Sequence, residues 1–151
     1  MILSSSPNRR KEILRVILSV SMITIGITHF LNPIPFVRIV PAILPNPLLL
    51  VYVSGFFEVL GGIGLLIPVI SVAAAWGLVA LFVAVFPANI NMAVNQITIE
   101  GIPHQPILYW VRLPFQAVLI VWALWYTKRP EQQPGFDRVT RLLKPLFRII
   151  E

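Results

Sequence analysis

The chain has no cysteine and little charge. Among its 151 residues are twelve Lys and Arg, six Asp and Glu, and two histidines. Without thiols the chain can carry out no disulfide exchange and can hold neither a thiolate metal site nor an iron–sulfur cluster. One histidine, His29, falls in an apolar run, so His29 and Glu58 offer too few ligands and no metal site is expected. No flavin, haem or nucleotide motif is recognisable, and no covalent cofactor is expected. What the chain has in excess is apolar surface, 57% of its residues. A soluble domain of this size cannot carry that much without a large exposed patch. The composition predicts one α-helical domain integral to a membrane.

Four long apolar runs give the spans, residues 13–31, 48–67, 71–93 and 107–126. Each matches a hydrocarbon core about 30 Å thick at about 1.5 Å rise per residue. The first follows a basic lead, but its length exceeds the roughly 7–15 residues of a signal-peptide core, so it reads as a span. Between the first two runs, Pro33, Pro35, Pro41, Pro45 and Pro47 interrupt a segment too apolar for a water-facing loop. It reads as a short element in the outer interface. Pro87 and Pro114 fall inside spans and predict local kinks, Pro87 freeing the carbonyl of Val83.

Charge distribution orients the bundle. Ten of the twelve basic residues lie near the ends, from Arg9 to Arg15 and from Lys128 to Arg148. The positive-inside rule then puts both termini in the cytoplasm. The same distribution argues against a nucleic-acid partner. Residues 136–151 alternate an apolar face (Val139, Leu142, Leu143, Leu146, Ile150) with a basic one (Arg138, Arg141, Arg148). Such a helix lies on an anionic leaflet. The expected fold is therefore an all-α, up-down-up-down four-helix membrane bundle, with cytoplasmic termini and a C-terminal amphipathic interfacial helix.

Glu58 is the only acid in these runs. A carboxylate at mid-membrane costs roughly 2.5–3.5 kcal/mol even on the lenient insertion scale, so it needs a hidden face and a partner. Ser54, Gly55, Gly61 and Gly62 share its helix face, and small residues there let another helix come close. Counting rise along each span puts His29, Asn89, Arg112, Gln116 and Glu58 within about 3–15 Å of the outer ends. Every span contributes to this level. Arg112 and Gln116 share a face, and a Glu58–Arg112 pair, direct or through Gln116 or a water, is the economical way to hold both charges. Two readings stay open: a polar plug that fixes register, or a ligand pocket with Phe86, Leu108 and Tyr109 beside it.

The stretches GITHF (26–30), RIVPAILPNP (38–47), YVSGFFEVLGGIGLLIP (52–68), VFPANINMA (85–93) and RLPFQAVLIVWALWY (112–126) resemble the DoxX-like family of small bacterial four-helix membrane proteins. The resemblance implies a multi-pass protein of the bacterial inner membrane, associated with oxidoreductase or detoxification complexes. It leaves three readings. One is a membrane subunit of an oxidoreductase or quinone-linked system. In it Arg112, His29 and Asn89 hold a quinone or small anion, and Glu58 serves as proton acceptor or counter-ion. The second is an assembly or scaffold protein whose polar cluster is structural and which binds a protein partner in a membrane complex. The third is a small proton-coupled transporter.

Overall fold

A computed structural model describes residues 9–98 and 106–128 of the chain. Every regular element among them is helical: α1 (Arg9–Leu31), α2 (Ile34–Ile39), α3 (Pro47–Leu66), α4 (Ser71–Val94) and α5 (Pro106–Leu124). All but α2 are long and apolar enough to cross a membrane. Helices suit that setting because each satisfies its own backbone hydrogen bonds where no water can. Large apolar side chains such as Val20, Phe57, Val83 and Val121 point outward. The expected amphipathic tail, 136–151, lies outside the described residues.

The boundaries follow local chemistry. α1 begins a turn earlier than the apolar count suggests, because its charged first turn still makes helical bonds. Arg15 is ion-paired with Glu12 three residues earlier. α2 fits between Pro33 and Pro41 as the short proline-bounded element expected there. Asn46, in the left-handed region at φ 48°, turns the chain into α3, and Pro47 occupies the first helical position. That position tolerates proline because its N–H would go unused. Pro87 and Pro114 both lie within continuous helices.

Packing runs in series: α1 against α3, α3 against α4, and α4 against α5, with α2 resting on α3 and α4. The α1–α3 contact is made backbone to backbone. A methyl group added at Gly55 would lie 2.6 Å from the His29 Cβ and 2.9 Å from the Gly26 carbonyl oxygen. At Gly62 it would lie 2.8 Å from the Ser19 carbonyl oxygen. Glycine is required here because only its missing side chain permits the approach.

Two apolar clusters result. Leu18, Met22, Leu65, Ala75, Leu78, Phe82, Ala123 and Tyr126 form one, and Ile39, Met92, Ala93 and Tyr109 the other. α5 and α1 have no extended contact, but their ends are joined where the Tyr126 hydroxyl donates to the Lys11 carbonyl at 2.9 Å. The Lys11 ammonium lies 5.7 Å from the centre of the Tyr126 ring.

The glycine contact makes a direct prediction. Gly55→Ala forces backbone and His29 apart and should destabilise the protein by about 1–3 kcal/mol. Gly77, which faces nothing within 4 Å, should accept alanine without loss. Thermal unfolding in detergent compares the two variants, and equal melting temperatures would remove the close-contact argument.

Candidate functional site

The five polar residues expected at one level are divided by the helix order into three groups. α1 and α3 make the first. The close approach at Gly26 and Gly55 brings the His29 Nδ1 to 3.3 Å from the Glu58 Oε2, with both side chains about nine-tenths buried. Nδ1 also lies 2.9 Å from the Ile25 carbonyl oxygen. A carbonyl can only accept, so Nδ1 carries the hydrogen there. The Glu58 Oε2 is left buried without a hydrogen bond. The Phe36 ring of α2 stacks on the imidazole, with centroids 3.9 Å apart and planes 19° from parallel.

The second group joins α4 to α5. The Asn89 Nδ2 donates to the Gln116 Oε1 at 2.9 Å, and the Gln116 Nε2 donates to the Phe82 carbonyl, also at 2.9 Å. That carbonyl precedes the one that Pro87 deprives of its donor. The buried Gln116 amide is used on both its oxygen and its nitrogen, which is what a register-setting polar bridge requires.

Arg112 makes the third group. Its Nη1 donates to the Met92 Sδ at 3.0 Å, its one hydrogen bond to a described residue. A thioether is a weak acceptor for a guanidinium with five donors. Around it is a groove of about 300 Å³ lined by Met92, Leu108, Tyr109, Val111, Arg112 and Phe115. The Tyr109 hydroxyl is buried and has no hydrogen bond. Of the apolar residues expected at this level, Leu108 and Tyr109 line the groove and Phe86 does not.

The direct Glu58–Arg112 pair is not formed. Glu58 pairs with His29 instead, because the helix carrying Arg112 packs on α4 while the helix carrying Glu58 packs on α1 and α4. Equal height in the membrane does not make two residues neighbours when a helix stands between them.

Residues that sequence reasoning did not single out complete the picture. The Asn91 Nδ2 donates to the Ile39 carbonyl at 2.9 Å, tying the C-terminal end of α2 to α4. The Asn95 Nδ2 donates back to the Asn91 Oδ1 at 2.7 Å. The spacing of Asn91 and Asn95, four apart on a helix, was the available signal. Phe36 and Met92 gave none, being ordinary apolar residues in apolar runs.

A family model described as a domain of unknown function, DUF8561, matches residues 18–127. The chain belongs to this family. The DUF8561 match takes in all three polar groups and leaves the basic lead and the tail outside. Neither curated proteins nor solved structures give a match to the chain.

The division into groups predicts which substitutions couple. Glu58→Gln and Arg112→Gln should lower the unfolding free energy additively, within about 0.5 kcal/mol, whereas Glu58→Gln and His29→Gln should not be additive. A double-mutant cycle in detergent measures both pairs. Coupling between Glu58 and Arg112 would mean that the two groups communicate despite their separate helices.

Proposed function

We propose that this DUF8561 protein is a membrane-embedded binding subunit of an oxidoreductase or quinone-linked system, and that the Arg112 groove holds an amphipathic molecule by its polar head. The observation that carries this reading is the pairing of two under-used donors in one apolar groove. The Arg112 guanidinium has a thioether for its acceptor, and the Tyr109 hydroxyl is buried without one. A quinone carbonyl or an anionic head group would accept from both. Leu108, Val111 and Phe115 would take the apolar part. Ligand sites of this kind are mostly apolar with a few placed polar groups.

The likeness of residues 26–30, 38–47, 52–68, 85–93 and 112–126 to DoxX-like proteins supports the same assignment, including a partner protein in a membrane complex. The basic residues at both ends support an orientation with both termini in the cytoplasm of a bacterial cell. Cysteines placed at Asn95 and Lys128 test that orientation. A membrane-impermeant thiol reagent added outside should label the first and spare the second.

A scaffold reading has one observation in its favour. The Asn89–Gln116–Phe82 bridge is closed on itself and suits register rather than binding.

Native mass spectrometry separates the two readings, using the purified protein with decylbenzoquinone and, in parallel, with phosphatidylglycerol. On the binding reading one probe is retained, and Arg112→Gln and Tyr109→Phe each weaken it, the first by about tenfold or more, or roughly 1.4 kcal/mol. Retention of neither probe by a folded wild-type protein would favour the scaffold.

A further inference from the structure

We propose that His29 and Glu58 form a proton-exchange site of their own, distinct from the Arg112 groove and covered by Phe36 of α2. The inference does not depend on what the groove binds. The Glu58 Oε2 is buried, lacks a hydrogen bond, and lies 3.3 Å from a ring nitrogen whose hydrogen is directed to the Ile25 carbonyl. An acidic group stranded in this way in a membrane helix marks a functional site rather than a packing accident. The ligand that suits it is a proton, which needs no cavity between backbones packed as closely as Gly26 and Gly55.

The imidazole supplies the route. Nδ1 already carries a hydrogen, directed to Ile25, so Nε2 is the nitrogen that accepts a proton from outside the pair. Protonation at Nε2 forms an N–H bond there and gives an imidazolium beside a carboxylate. When the ring turns the Nδ1 hydrogen from the Ile25 carbonyl toward the Glu58 Oε2, its transfer breaks the original N–H bond and forms an O–H bond. The products are a carboxylic acid and a neutral imidazole protonated at Nε2. One proton has been taken up, and the pair is neutral in both arrangements.

The return is also built in. After transfer, the bare Nδ1 faces the Ile25 carbonyl, two acceptors opposed, so the proton on Glu58 is held against a restoring contact. Phe36 acts on the same balance. Its ring face, 3.9 Å from the imidazole, favours a cation stacked on it over a neutral ring.

The charged and titratable groups on the surrounding helices are few among the described residues. α1 and α3 place no second acid or base against the pair, and Tyr52 stacks on Phe30 instead. α4 contains no titratable residue. α2 contributes Arg38, in the same short helix as Phe36. Arg112 is held at Met92 on the α4–α5 side.

Infrared difference spectra of the reconstituted protein, wild type minus Glu58→Gln, isolate the carboxyl signal. A carboxylic C=O band should give way to carboxylate bands as the pH is raised. His29→Gln should move the midpoint by about tenfold or more in proton concentration, one pH unit. Arg112→Gln should leave it in place. An unmoved midpoint in His29→Gln, an equal shift in Arg112→Gln, or no titrating band would each overturn the proposal. Should His29→Gln fail to fold, nitrogen-15 NMR of His104→Gln protein reads His29 alone. Its ring nitrogens should change protonation over the same pH range, and resonances that stay fixed overturn the proposal.

Discussion

The distance between the backbones of α1 and α3 governs where His29 and Glu58 stand. Three glycines set it, and a side chain at any of them would meet a backbone atom or a β-carbon of the other helix. Helices in lipid gain little from excluding water, so they associate through close packing and polar contacts. Here the two are linked. The same contact that brings Gly26 to Gly55 sets His29, three residues further along α1, against Glu58, three residues further along α3. Separating the helices by the width of a methyl group would leave the carboxylate facing hydrocarbon.

That coupling explains why the polar residues are used in pairs across adjacent helices rather than gathered into one cluster. Each pair solves its own desolvation problem with the nearest available neighbour. Gln116 finds Asn89 and a backbone carbonyl. Asn91 finds the end of α2. Two groups are exceptions: Arg112, whose neighbour is a sulfur atom, and Glu58, whose Oε2 is buried without a hydrogen bond. Even half-buried, a cation with so weak an acceptor departs from the rule that charge withdrawn from water is paired. In the groove the Tyr109 hydroxyl is also unmet.

The spans were legible because hydrophobic length is a local property. Even so, the apolar count began at Ile13 while α1 begins at Arg9. Backbone hydrogen bonding continues through residues whose charged ends reach the membrane surface, and hydropathy does not register that. Glu58 was legible as a buried face because its glycines repeat at helical spacing. Its partner was not. Depth along a helix can be counted from sequence, but which helix stands beside which cannot, and height alone favoured Arg112 over His29. The role of Phe36 was hidden for a similar reason. Nothing in an apolar residue of a proline-rich connection shows that its ring will lie on a histidine.

The serial packing of the helices also bears on how the molecule comes to be made. α3 finds α1 already in place, α4 finds α3, and α5 finds α4, so each segment leaving the ribosome docks on one that preceded it. None of these steps needs a distant part of the chain. The bond from Tyr126 to Lys11 differs, because 115 residues separate its ends and it must wait for the last span. Until then, among the described residues, the Arg9 end of α1 has its own ion pair and the face of α3. Assembly is thus incremental until its final contact, and the Tyr126 hydroxyl marks the moment at which first and last helices are joined.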